Sequence, residues 1–203
     1  RDLDVRGKRV LLRVDFNVPM KEGKIVDDTR IRESLETIRY LLGLDARVIL
    51  LAHLGRPKGI EDALRLDPIA RHLSKLLGRL VLKLDDCIGE EVEERLNGMR
   101  SGEIALLENL RFYKGEEAND DSFARSLAEL GDVFVNDAFS VSHRAHASVV
   151  AIARHLPSAA GFLLEREVQG LSRVKHPRKP FIVILGGAKV SDKIGVLTSL
   201  LKR

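Results

Sequence analysis

The sequence predicts an α/β protein: a Rossmann-like parallel sheet with helices on both faces, then an interdomain helix, then the first strand and helix of a second α/β domain. Three observations predict it. Short apolar runs alternate with longer segments of helical period. The apolar runs are continuous rather than alternating, as in strands buried on both faces. A proline-bearing stretch, His176-Pro177-Arg178-Lys179-Pro180, interrupts the pattern before it resumes. The predicted domains are 1–160, a linking helix and linker over 161–180, and the opening of a second domain over 181–203.

Val10–Val14 reads as a strand after the Arg6-Gly7-Lys8 turn. Thr29–Leu42 places Ile31, Leu35, Ile38 and Leu42 at helical spacing, with Asp28 or Thr29 as the cap. Val48–Ala52 is a buried strand by its uninterrupted apolar character. A Gly/Pro-bearing loop leads to a helix over Pro68–Leu77, with proline in its first turn. Leu80–Leu84 and Ile104–Leu107 are strands separated by an acidic helix at Glu90–Leu96. Ser122–Leu130 is a helix ending near Gly131, and Val133–Asn136 is the next strand. Gly161–Val174 forms the linking helix, and Phe181–Leu185 opens the second sheet.

Apolar residues make up 44% of the 203-residue chain and charged residues 32%, an ordinary core with a water-facing surface. No apolar stretch approaches the ~20 residues that span a bilayer, and no signal-type segment is visible, so no membrane is expected. The single cysteine, Cys87, cannot form an internal disulfide, which fits a reducing compartment and a cytoplasmic protein. The excess of 34 Lys+Arg over 30 Asp+Glu is modest, and with 4% aromatic residues there are few platforms for stacking bases. A non-enzymatic basic module binding nucleic acid is therefore the alternative reading and not the favoured one. A phosphosugar-binding α/β domain is a further rival.

Ligands of parallel sheets bind outside the carboxyl ends of the strands. There the chain carries Asp15-Phe16-Asn17, His53-Leu54-Gly55-Arg56, Glu108-Asn109-Leu110-Arg111 and Asp137 to His146, with Arg30 at the start of the following helix. Arg30, Arg56, Arg111 and Arg144 thus reach one sheet edge from separate segments. Guanidinium is permanently charged and forked to match phosphate or carboxylate oxygens. One arginine after a strand is ordinarily a surface ion-pair partner; several around one pocket call for an anion of high charge. Asp15 and Asn17 add groups for a hydroxyl. A phosphorylated hydroxy acid is the ligand this set describes. His143 and His146 lack a third metal ligand nearby, so no metal is assigned to them.

RVDFNVP at Arg13–Pro19, DDTRI at Asp27–Ile31, HLGRPKG at His53–Gly59, LLENLRF at Leu106–Phe112, NDAF with HRAHAS across Asn136–Ser148, and LGGAKVSDKIG at Leu185–Gly195 together resemble the phosphoglycerate kinase family. The resemblance runs along the whole chain. It implies a hinge-bending two-domain glycolytic enzyme, a monomer, with 3-phosphoglycerate or 1,3-bisphosphoglycerate on the amino-terminal domain and Mg-ATP or Mg-ADP on the other. It implies Asp15 and Asn17 at the glycerate hydroxyl and carboxylate, with Phe16, Leu54 and Gly55 in the same loops. It places Arg30 nearest the migrating phosphoryl group, and His53, Arg56, Arg111 and Arg144 around the anion. Lys189 and Lys193 fall toward the nucleotide phosphates, so Arg30, Lys189 and Lys193 are the implied catalytic residues. Glu167 matches a hinge-region glutamate.

The family commonly has a glycine after NDAF, where this chain has Ser140-Val141-Ser142. A positive φ there would strain Ser140 and displace the loop of Arg144. Leu185-Gly186-Gly187-Ala188-Lys189 is a phosphate-turn candidate, although neither G-x-x-x-x-G-K-[ST] nor G-x-G-x-x-G occurs. The chain opens on Arg1 and closes on Leu200-Leu201-Lys202-Arg203 inside a predicted helix, so a fragment without turnover of its own is expected.

Overall fold

The structure, a computed structural model, describes residues 3–175, 177–184 and 191–201. The chain divides into two compact units, Arg1–Leu164 and Glu165–Arg203. In the first unit, β1 (Arg9–Arg13) is followed by a small hairpin, β2 (Met20–Lys21) and β3 (Lys24–Ile25). Then come α1 (Thr29–Glu33), α2 (Leu35–Gly43), β4 (Arg47–Leu51), α3 (Asp67–Leu77) and β5 (Val81–Lys83). After these follow α4 (Glu90–Asn97), β6 (Ile104–Leu106), α5 (Lys114–Glu117), α6 (Asp121–Glu129), β7 (Val133–Asn136) and β8 (Ser158–Ala160). A single wide π-helical turn, Ala147–Ala151, lies between the last two strands.

Six strands form one parallel sheet in the order β5-β6-β4-β1-β7-β8. Its two faces are both buried, and the strand residues sort between them by parity. Val10, Leu12, Val48, Leu50, Ile104, Leu106, Val133 and Val135 share one core with Ile31, Leu35 and Ile38 of α1 and α2 and Ile69 and Leu73 of α3. Leu11, Ile49, Leu51, Ala105 and Phe134 face the other core, under Val92 and Leu96 of α4 and Phe123 and Leu127 of α6. This two-sided burial is why the strands read as unbroken apolar runs. From β1, the chain builds outward through β4 on one side and returns to place β7 on the other. The crevice for a ligand lies at that reversal, beyond the ends of β1, β4 and β7.

Three expectations are corrected. The helix over Thr29–Leu42 is two helices, divided at Ser34. That serine is fully buried, and its hydroxyl donates to the Arg30 carbonyl at 3.3 Å, a bond that competes with the helical ladder and bends it. Asp28 occupies the N-cap position of the first helix, but its side chain makes no capping bond; it pairs with Arg32 and His72, while Asp27 accepts from the Thr29 amide at 2.8 Å. The strand at Phe181–Leu185 is absent over 181–184, where Ile182 and Ile184 are exposed; among the described residues its unit has no second strand to pair with.

Helix α7 (Phe162–Lys175) begins in the first unit, and α8 (Ser191–Leu201) belongs to the second. Among the described residues no helix is long and apolar enough to cross a membrane.

Candidate functional site

The loop after β1 returns immediately on itself, because Asp15 Oδ1 accepts from the Asn17 amide at 3.0 Å. The other oxygen of Asp15 takes two donors, the Arg30 guanidinium and the Ser140 hydroxyl. Asn17 then reaches across to the loop after β4, where its Oδ1 accepts from the Gly55 amide at 2.9 Å. The Gly55 carbonyl accepts in turn from Arg111 Nη1 at 2.6 Å. A continuous polar path therefore joins α1 and the loops after β1, β4, β6 and β7.

Gly55 is required at its position. Its φ is +66°, and a Cβ there would lie 2.9 Å from Leu64 Cδ2. Asn109 locks the same loop from behind: its side chain donates to the Leu54 and Leu64 carbonyls at 2.8 and 3.0 Å and accepts from the Leu54 amide at 3.2 Å.

Charge concentrates around this path. Arg111 is largely buried and ion-paired with Glu117 at 3.2 Å. Burial lowers its pKa, and the neighbouring Arg144 and Arg56 push it the same way while Glu117 opposes. Arg56, Arg111 and Arg144 therefore converge from three loops. Arg56 is exposed and Arg144 half-buried, both open to a ligand. His53 is buried and its pKa falls to about 2, first through desolvation, then through Arg13, Arg111, His146 and Arg144. It is neutral at any ordinary pH.

Arg13, at the end of β1, is fully buried and donates to His53 Nδ1 at 3.1 Å and to Ser148 Oγ at 2.9 Å. Burial lowers its pKa, against the pull of Glu116, whose carboxylate is also buried and stands 3.8 Å away. Removing one partner of such a pair costs about 3–5 kcal/mol, because the other charge is left buried.

The structure thus brings Asp15, Asn17, Arg30, His53, Gly55, Arg56, Arg111 and Arg144 to one edge of the sheet. Phe16 and Leu54 belong to the same loops, but both side chains are packed in the core, so only their backbones are on offer. The expected strain at Ser140 is not found. Ser140 lies in a 3-10 turn, Phe139–Val141, and is not among the positive-φ residues. Its hydroxyl serves Asp15 instead. His143 is exposed whereas His146 is buried beside Glu116, and among the described residues no cluster of His, Cys, Asp or Glu could hold a metal ion. Lys189 lies outside the described residues, the side chain of Lys193 is likewise not described, and Glu167 is exposed on α7.

Sequence reasoning missed Arg13, Asn109, Glu116, Ser140 and Ser148. Arg13 had a signal: it is a charge set inside an apolar strand, between Leu12 and Val14. The others carried none, because their partners lie 32 to 135 residues away.

The fold is that of a parallel α/β protein of the Rossmann-like class, with arginines gathered at the reversal point of its sheet. Residues 1–203 match the family model described as phosphoglycerate kinase. The chain belongs to that family. It is 58% identical to the phosphoglycerate kinase of Dictyoglomus turgidum and 57% identical to that of Moorella thermoacetica, in each case over 100% of this chain and 52% of the relative. Among solved structures, phosphoglycerate kinase from Coxiella burnetii superposes with a TM-score of 0.89 at 43% identity, and that from Pyrococcus horikoshii with 0.91 at 40%. These matches cover 100% and 99% of this chain and 51% of each of those chains. The chain spans about half the length of the relatives it matches.

Proposed function

We propose that this chain supplies the phosphoglycerate-binding half of a phosphoglycerate kinase. The observation that carries the reading is the hydrogen-bonded path Arg30–Asp15–Asn17–Gly55–Arg111, which fixes separate loops around one cleft with Arg56 and Arg144 at its side. Convergent cations repel unless an anion lies among them, and a ligand bearing both phosphate and carboxylate satisfies several at once.

In the reaction so assigned, the carboxylate of 3-phosphoglycerate attacks the terminal phosphoryl group of Mg-ATP. An acyl O–P bond forms, the O–P bond to the leaving ADP breaks, and the reverse step runs from 1,3-bisphosphoglycerate. The nucleophile is ionised at neutral pH, so no general base is required. The protein's task is positioning and charge stabilisation. Arg30, whose side chain is half exposed on Asp15, is free to exchange that partner for the migrating phosphoryl group. Lys189 and Lys193 would act from the nucleotide side, and domain closure would bring the two substrates in line.

Calorimetric titration of 3-phosphoglycerate into the wild-type chain, Arg30→Ala and Arg56→Ala tests the site. Each lost charge-assisted contact is worth about 1.5–3 kcal/mol, so each variant should bind at least roughly tenfold more weakly, with the gap narrowing as salt rises. Equal heats from all three proteins would overturn the assignment.

A further inference from the structure

Behind the proposed site lies a buried polar chain, Glu116, Ser148 and Arg13, which ends on His53; of these the phosphoryl-transfer reading uses only His53. Glu116, Ser148 and Arg13 have no exposed surface, and His53 is 2% exposed. Glu116 belongs to α5, Ser148 to the π-helical turn, Arg13 to β1, and His53 to the loop after β4. Four separate elements thus contribute one side chain each.

The direction of every proton along this chain follows from its two ends. Glu116 as a carboxylate can only accept. Its Oε1 takes the Ser148 hydroxyl at 2.6 Å, and its Oε2 takes the Ser148 amide at 2.9 Å. The single hydroxyl proton of Ser148 is therefore spent on Glu116, which leaves an Oγ lone pair for Arg13 Nε at 2.9 Å. A guanidinium can only donate. Arg13 Nη2, 3.1 Å from His53 Nδ1, therefore requires that nitrogen to carry a lone pair. Since the ring is neutral, its proton resides on Nε2. Among the described residues no hydrogen bond uses Nε2, and it is not one of the sealed atoms without a partner. That nitrogen is thus not sealed in the core, and the charges of Arg111 and Arg144 lie near the ring.

We propose that Glu116 and Ser148 are positioning residues which, through Arg13, hold His53 as a fixed N–H donor for the anion in the cleft. The identity of that anion rests on the reading above, but the tautomer of His53 does not. Replacing Glu116 by glutamine makes the end of the chain a donor as well as an acceptor. The amide can then point at Ser148, turn its hydroxyl, and leave Arg13 Nε without an acceptor. Ser148→Ala removes the link outright. Either change leaves Arg13 held only by its Nη1 bond to the Val14 carbonyl at 2.5 Å and its contact with His53, and so loosens the choice of nitrogen that His53 protonates.

The deciding measurement is a long-range proton–nitrogen correlation spectrum of the histidine rings in the 203-residue chain. Wild type should show His53 purely as the Nε2–H tautomer. Glu116→Gln and Ser148→Ala should each show Nδ1–H character, and 3-phosphoglycerate titrated into the same samples should bind about tenfold more weakly. Adding His53→Ala to either variant should cost little more, since both changes remove one donor. If Glu116→Gln fails to fold, Ser148→Ala carries the same readout. A His53 ring that remains purely Nε2–H in a folded variant overturns the proposal, as does an additive loss on removing His53. Absence of phosphoglycerate binding to wild type would sink the anion reading, while the tautomer comparison would still decide the positioning role.

Discussion

His53 is held neutral by its surroundings, and this has a consequence for stability. Its folded pKa of about 2 lies far below the ordinary 6.5, so the unfolded chain gains a proton as pH falls through 6.5 while the folded chain does not. Stability contributed by the neutral ring is complete above the unfolded value and drains away below it, by about 1.4 kcal/mol per pH unit. Glu116 acts in the same sense at lower pH. Burial alone would raise it, but the His146 ring, the Arg13 charge and the Ser148 hydrogen bonds outweigh burial and hold it below 4.5. Urea unfolding between about pH 7 and pH 5 should show a loss of about 2 kcal/mol in wild type that His53→Gln largely lacks. Parallel curves would contradict a neutral buried histidine. At this scale the sequence was legible only where chemistry is carried by residue type. An arginine or an Asp-x-Asn after a strand advertises an anion site. Ser140 and Ser148 do not, because a hydroxyl says nothing of a carboxylate more than a hundred residues distant or on another element.

Helix α7 starts on a carboxylate borrowed from the sheet. Asp137, buried just past β7, accepts from the Leu163 and Leu164 amides at 2.8 and 3.2 Å, which satisfies two of the open donors of the first turn and complements its positive end. Gly161 is small for this reason; a Cβ on it would lie 2.2 Å from Asp137 Oδ1. Asp137→Ala should fray the start of α7 at a cost of about 1–2 kcal/mol. Amide exchange at Leu163 and Leu164 should then quicken while β1 and β4 remain protected; unchanged exchange would remove Asp137 as the cap. The strands and longer helices were legible because burial on two faces leaves continuous apolar runs. The hairpin was not. Its strands are two residues each, one lysine and one apolar residue in both, joined by Glu22 and Gly23 with φ of 50° and 72°, so turn chemistry rather than hydrophobicity builds it. Nor was β8, whose Ser-Ala-Ala has no strand propensity and is held by β7.

For the whole molecule, the proposed function predicts that binding and turnover are separable. The residues proposed to hold the anion all precede Leu164, whereas the relatives are about twice as long as this chain. Purified 203-residue protein should therefore bind 3-phosphoglycerate without ATP-dependent turnover in a steady-state assay; clear turnover would show that the further length of the relatives is dispensable. The fold class was legible at this scale because alternating strands and helices leave few right-handed topologies. The strand order was not, since periodicity does not reveal which neighbour a strand selects. That order governs how the protein is made. Strand β1 is an inner one, and its second flank, β7, is translated more than a hundred residues later. Until then β1, with Val10, Leu11 and Leu12 between two arginines, has unpaired backbone donors and acceptors along that edge. A chain terminated before Asn136 should therefore be more prone to pair with its neighbours than the full 203 residues.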